Sequence, residues 1–284
     1  MRVLILGATG MLGSTLLRLF HAHPGIEVFG TARSPSAREL LPHDVHAQLV
    51  TGVDVENNEH LLRLMTRVRP DAVVNCIGLV KQLSESELPL AAIPINALLP
   101  HRLAEICGLF GARLIHISTD CVFSGRKGLY IEADFVDADD LYGRSKYLGE
   151  VNYPHAVTLR TSIIGHELNG SRSLVCWFLA QHGQVPGFRR AVFSGLPTVE
   201  LGRVILEHVL PNADLRGLYH VSADPINKFD LLTLVARHYG KDIEIVPKDD
   251  FLIDRSLDSN RFRQATGFRP KAWDQQVQLM KNFG

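Results

Sequence analysis

The chain has 284 residues, 46% of them hydrophobic and 21% charged, a composition that excludes disordered, collagen-like and low-complexity classes. Its 30 Lys+Arg balance its 30 Asp+Glu, so it lacks the basic excess by which proteins hold a nucleic-acid backbone. At this length one large domain, or a domain with a smaller lobe, can bury its apolar surface without disulfides or structural metals.

In chain order, Arg2 to Leu6 predicts a buried strand and Met11 to His21 a helix with Leu12, Leu16, Leu19 and Phe20 on one face. Strands follow at Ile26 to Ala32, Gln48 to Val53, Asp71 to Asn75, Arg113 to Ser118 and Ala156 to Arg160. Helical periods lie between them, at Asn57 to Val68, around Leu98 to Leu109 and around Tyr142 to Val151. This alternation is that of a parallel sheet covered on both faces, a doubly wound α/β fold. After Arg160 the rhythm breaks at Gly165, Gly170, Gly183, Pro186-Gly187, Gly195 and Pro197. A helix at Val199 to His208, a strand at Leu218 to Ser222, a helix at Lys228 to His238 and a strand at Ile243 to Val246 precede a basic, polar tail, which predicts a smaller α+β C-terminal lobe.

Short apolar runs such as Val3 to Leu6 fall far below the roughly 18 to 20 residues that span a bilayer. The N-terminus, one basic residue and then a strand-like run, lacks the layout of a secretory signal, so the expected location is the cytoplasm. Cys76, Cys107, Cys121 and Cys176 form no C-x-x-C pair, which predicts reduced, mostly buried thiols. The thirteen histidines show no ligand spacing, and no metal is assigned.

The first turn, Gly7-Ala8-Thr9-Gly10-Met11-Leu12-Gly13, follows a strand and opens a helix. Glycines there permit a tight turn, close approach of a phosphate and close helix-to-sheet packing, while the helix N-terminus offers free N–H groups. Gly7, Thr9, Gly10, Met11, Leu12 and Gly13 are therefore candidate contacts to a dinucleotide. The second strand ends in Thr31-Ala32-Arg33 with no acid, so Arg33 points to NADP(H) over NAD(H), the alternative being a solvated surface arginine that leaves the choice open. Asp54, with Val55 beside it, is placed to meet the adenine, or serves as a plain turn aspartate.

Tyr142-Gly143-Arg144-Ser145-Lys146 begins 23 residues after Thr119. Residues four apart share a helix face, so Tyr142 and Lys146 can point the same way. A phenol tuned by a nearby ammonium can exchange a proton with a carbonyl, and Thr119, at a strand's carboxyl end, can hydrogen-bond the same oxygen.

These residues resemble the extended short-chain dehydrogenase/reductases: the Gly7/Gly10/Gly13 spacing, Asn75 with Gly78 after the fourth strand, Thr119, and the Tyr142/Lys146 pair. More narrowly, Ser118-Thr119-Asp120-Cys121-Val122-Phe123-Ser124-Gly125, the Tyr142 to Lys146 run and Leu159-Arg160-Thr161-Ser162 are similar to the dTDP-4-dehydrorhamnose reductase branch. The resemblance implies a Rossmann-like NADP domain over 1–162 with a returning segment 197–222, and a substrate lobe over 163–196 and 223–284. It implies reduction of the C4 keto group of a nucleotide-linked deoxysugar: hydride from the nicotinamide, a proton from Tyr142, Lys146 holding the ribose and lowering the tyrosine pKa, Thr119 polarising the carbonyl. Cys76 and Gly78 join the cofactor contacts. A homodimer is a possible assembly. Two positions depart from the branch, which has aromatic residues where this chain has Cys121 and Ile163, so its sugar pocket differs.

Other candidates carry two readings each. Lys81 reads as a phosphate contact or a solvated loop lysine, Asn96 as a support of the active-site backbone or a helix cap, Arg160 as a site residue or a structural ion pair. Arg189 faces a diphosphate or lies in a solvated turn. His116 reads as a packed core histidine. The alternatives to a reductase are an epimerase or dehydratase on the same substrates, and a non-catalytic NADP-binding regulatory subunit. No Glu follows Thr119-Asp120, which disfavours a dehydratase, and the intact Thr119, Tyr142 and Lys146 disfavour the subunit.

Overall fold

The computed structural model describes residues 1–284. In chain order the first half contains β1 (Arg2–Leu6), α1 (Met11–His21), β2 (Glu27–Ala32), β3 (Leu49–Thr51), α2 (Asn58–Val68), β4 (Ala72–Asn75), α3 (Pro89–Ala92), α4 (Leu99–Phe110), β5 (Arg113–Thr119), α5 (Leu141–Leu148) and β6 (Ala156–Thr161). The second half contains β7 (Ile163–Ile164), α6 (Leu174–Ala180), β8 (Gln184–Phe188), β9 (Ala191–Phe193), β10 (Leu196–Pro197), α7 (Thr198–Val204), β11 (Gly217–His220), β12 (Ile226–Asn227), α8 (Lys228–Tyr239), β13 (Glu244–Lys248), β14 (Ile253–Asp254), α9 (Asn260–Thr266) and α10 (Trp273–Phe283).

Seven strands form one sheet in the order β11-β6-β5-β4-β1-β2-β3, every neighbouring pair parallel. The apolar run of β1 follows from burial on both faces. Val3 and Ile5 enter the core layer of Leu12, Leu16, Phe20 and Leu201, whereas Leu4 and Leu6 enter that of Leu61, Leu64, Leu103 and Cys107. Burying each such side chain contributes roughly 1.5–3 kcal/mol. The strand order reverses between β1 and β4, so a crevice opens at their carboxyl ends, where doubly wound sheets bind ligands.

Residues beyond β6 build a third core of Ile164, Val175, Phe178, Val185, Leu231, Leu232, Val235, Val277 and Met280, flanked by the sheets β12-β9-β14 and β13-β8. The returning segment contributes α7, whose Thr198 hydroxyl meets that of Thr15 on α1 at 3.0 Å, and β11, which extends the main sheet.

Three local expectations change. The helix read around Leu98 to Leu109 is preceded by α3 and a π-helical turn at Ile93–Leu98, so helical backbone begins nine residues earlier than the apolar period suggests. The polar tail folds as α9 and α10, which bury Phe262, Val277 and Met280; so sparse an apolar stripe hides the helical period. All four cysteines are free thiols, but only Cys107 is fully buried.

Candidate active site

The glycine turn has the geometry its chemistry needs. Gly7 adopts φ +83°, and a Cβ on Gly13 would stand 2.1 Å from the Gly7 carbonyl oxygen. The Gly7 N–H donates to Thr31 Oγ1 at 3.2 Å, which ties the turn to the end of β2. Gly10 caps α1 with no side-chain hydrogen bond, so the helix N–H groups stay free for an anion. Thr9 and Met11 are partly exposed, whereas the Leu12 side chain is buried in the core. Arg33 is exposed directly after β2. Asp54 is exposed and accepts the Glu56 N–H at 3.0 Å, and the Val55 side chain is buried in the core.

The strand β5 delivers Thr119, whose Oγ1 accepts the Cys121 N–H at 3.1 Å and donates to Asp120 Oδ1 at 3.2 Å. Asp140 starts α5, accepting the Gly143 N–H at 2.7 Å, and Lys81 Nζ donates to the same carboxylate at 2.5 Å. Lys81 therefore anchors the start of α5 from outside. A Cβ on Gly143 would stand 2.3 Å from the Cys121 carbonyl oxygen, so only glycine lets the helix carrying Tyr142 sit against the loop after Thr119. Sequence reading passed over Gly143.

Lys146 lies one turn beyond Tyr142, buried, with Nζ donating to the Ile117 carbonyl at 2.9 Å. Its Nζ is 3.7 Å from where a Cβ on Gly78 would stand, which brings Gly78 and Cys76 into the site. Burial lowers the lysine to about 8, opposed by Glu150 and Cys76, and burial pushes the Cys76 thiol up to about 12. Tyr142 differs from the expectation: its phenol is raised above 10.0, chiefly by burial and then by Cys121, with Thr119 pulling the other way. The Lys146 ammonium spends one of its three N–H donors on the Ile117 carbonyl. A raised phenol holds its proton, the state a proton donor requires.

Asn96 is buried within the π-helical turn and caps no helix; its Oδ1 accepts the Leu79 N–H at 2.9 Å and its Nδ2 donates to the Leu79 carbonyl and to Ser145 Oγ, both at 3.2 Å. It joins the loop after Gly78 to α5. His116 is fully buried, its Nδ1 3.1 Å from Asn75 Nδ2, and burial holds it well below 6.5, hence neutral. Arg160 is ion-paired, bidentate to Glu150 at 2.6 Å. The Cys121 thiol is raised to about 12 by burial. Ile163 pairs with Leu196 in the backbone and packs on the main core.

Arg189 follows the solvated-turn reading, its guanidinium pairing with Asp249 on the surface. The cations of the second half that act on the loop after Thr119 are instead Lys228 and Arg255. The charge of Arg255 works on buried Asp120, and its Nε donates to the Phe123 carbonyl at 2.8 Å; Lys228 is lowered by burial and by Arg255, and raised by Asp120 and Cys121. Lys228 opens α8, where the helix dipole disfavours a cation, and that misplacement was the signal available in the sequence. Arg255 carries none.

Residues 1–282 match the RmlD substrate binding domain model. Among known proteins, the chain is 28% identical to the probable low-salt glycan biosynthesis reductase Agl14 of Haloferax volcanii, covering 95% of this chain and 88% of that one. It is 23% identical to the dTDP-4-dehydrorhamnose reductase of Aggregatibacter actinomycetemcomitans over 99% of both. The dTDP-4-dehydrorhamnose reductase structure from Bacillus anthracis, solved in complex with NADP, superposes with a TM-score of 0.79 at 23% identity, over 99% of this chain and 98% of that one. The glycine turn, the Thr119, Tyr142 and Lys146 cluster and the full-length match together place this chain in the RmlD substrate-binding domain family of the extended short-chain dehydrogenase/reductases.

Proposed function

We propose that this protein reduces the keto group, at C4, of a nucleotide-activated deoxysugar with NADPH. The observation that carries the reading is the meeting of Thr119, Tyr142 and Lys146 at the carboxyl ends of β4 and β5, beside the glycine turn. The turn fits a dinucleotide: Gly7 and Gly13 leave no room for side chains, and the cap at Gly10 leaves the helix N–H groups free. NADPH supplies the hydride. The helix N-terminus and the turn backbone would hold its diphosphate, Arg33 its 2′-phosphate, with NAD(H) the weaker ligand. Lys146, with Gly78 and Cys76 beside it, would hold the nicotinamide ribose.

Tyr142 donates its phenolic proton to the carbonyl oxygen, and Thr119 hydrogen-bonds the same atom as negative charge develops there. Cys121 and Ile163, where the branch has aromatic residues, support a sugar other than dTDP-4-dehydrorhamnose. Lys228 and Arg255, rather than Arg189, are the candidates for an anionic part of the substrate. In this reading 1–162 with 197–222 forms the cofactor domain, and 163–196 with 223–284 the substrate lobe. The balanced charge supports a protein without a nucleic-acid partner, the four free thiols a cytoplasmic setting, and exposed Leu90 and Leu148 near α5 a homodimer. No helix is long and apolar enough to cross a membrane.

The test is NADPH oxidation with a panel of nucleotide-linked 4-keto sugars, comparing wild type with Tyr142→Phe. Turnover by wild type and its loss in the variant, with NADPH affinity retained, is the expected result. Tight NADPH binding without turnover of any sugar would favour the regulatory-subunit reading.

A further inference from the structure

We infer that Glu150, acting through Ser118 and Arg160, is a positioning residue that aligns the end of β5, where Lys146 is held and the substrate oxygen is met. The inference rests on the reading of Lys146 as the group that holds the cofactor ribose. Glu150 Oε1 accepts Ser118 Oγ at 2.7 Å and Arg160 Nε at 2.6 Å, and Oε2 accepts Arg160 Nη2 at 2.6 Å. Ser118 and Arg160 are register partners across β5 and β6, so one carboxylate clamps both strands at the same level.

Ser118 stands between two working groups. The carbonyl of Ile117 receives Lys146 Nζ, and Thr119 carries the hydroxyl assigned to the substrate. Fixing Ser118 therefore fixes both neighbours. Glu150 lies just past the C-terminal cap of α5, the helix that carries Tyr142 and Lys146.

The groups facing Lys146 are Glu150, the Cys76 thiol after β4 and the His116 ring on β5, with Tyr142 on its own helix. His116 is neutral and Cys76 and Tyr142 keep their protons, so Glu150 is the one formal negative charge among them. Of the ten ion pairs in the protein, Arg160–Glu150 is the one with both side chains less than a tenth exposed, 2% and 9%. An apolar pair of similar volume would hold the fold as well or better, because burying two charges is costly. Placement beside a buried lysine gives the charge a use.

The test measures NADPH affinity by cofactor fluorescence from pH 6 to 9.5, with no sugar present, for wild type, Glu150→Asp, Glu150→Gln and the double variant Glu150→Gln with Arg160→Met. Wild-type affinity should fall as pH rises through about 8, the value of Lys146. Glu150→Gln should move that midpoint down by about one pH unit, making binding at pH 9 about tenfold weaker than in wild type. Glu150→Asp, which keeps the charge, should restore the midpoint. The double variant leaves no lone buried charge and should show about half the displacement, and it carries the test if Glu150→Gln does not fold. Identical midpoints in the folded variants and wild type, whatever their melting temperatures, would make the pair structural and overturn the inference. Absence of NADPH binding by wild type at every pH would instead overturn the functional reading on which it rests.

Discussion

Gly10 and Gly13 belong to the same motif but should fail in different ways. A Cβ on Gly13 would lie 2.1 Å from the Gly7 oxygen, 2.8 Å from the Gly7 carbonyl carbon and 3.1 Å from the Ala8 Cα, all backbone atoms. Ordinary contact requires about 1 Å more, so α1 must move off β1, and overpacking of this kind costs about 1–3 kcal/mol. For a chain of this size that lowers the melting temperature by roughly 2–4 °C per kcal/mol. Gly10 has φ −75°, and a Cβ there meets nothing closer than the Gly7 oxygen at 3.4 Å, so Gly10→Ala should change the melting temperature of the protein alone little. Its effect should appear with cofactor, because the new methyl stands where the diphosphate approaches the backbone. NADPH at about one hundred times its dissociation constant should stabilise wild type by about 2.7 kcal/mol. Thermal melting with and without NADPH separates the two variants: Gly13→Ala starts low, while Gly10→Ala starts near wild type and loses most of the cofactor shift. A Gly13→Ala protein that melts with wild type, or a Gly10→Ala protein with an undiminished shift, would refute the reasoning.

Arg33→Ala should weaken NADPH much more than NADH in a direct binding titration; equal losses would remove Arg33 from the 2′-phosphate. Lys146 has a folded value of about 8 against 10.5 when unfolded, so it opposes folding by about 3 kcal/mol below pH 8, an opposition relieved as pH rises from 8 to 10.5. Lys146→Met should therefore raise the melting temperature at pH 7 while abolishing turnover, and a lower melting temperature would contradict the assigned burial cost. His220 is held down to about 4 by burial and by Arg160, so the folded protein takes up its proton later than the unfolded chain. Stability from this residue is present above pH 6.5 and is lost as pH falls to 4, by about 3 kcal/mol. Denaturant melts of wild type and His220→Asn between pH 7 and 4 should show a shallower decline in the variant.

Much of the cofactor side was legible because it is local. The strand, glycine turn and helix from Arg2 to His21 are contiguous, and the crowding at Gly13 comes from Gly7, six residues away. Tyr142 and Lys146 share a helical turn, so their common face follows from spacing alone. Legibility failed where a side chain's partner lies elsewhere in the chain. Arg189 looked like a phosphate ligand until Asp249, 60 residues on, took it. Lys228 and Arg255 reach the loop after Thr119 from the far end of the chain, and Gly143 matters only because the Cys121 carbonyl passes over it.

The sequence by itself determined the parallel α/β sheet, the dinucleotide turn and the Tyr142/Lys146 pairing, since apolar period, glycine stereochemistry and helical spacing act over a few residues. Tertiary structure alone decided the surroundings of those groups: that burial raises the Tyr142 phenol, that burial lowers Lys146 to about 8 and that Glu150 pairs with Arg160 across from Ser118. Burial and cross-strand neighbours set these properties, and both exist only once distant segments have packed.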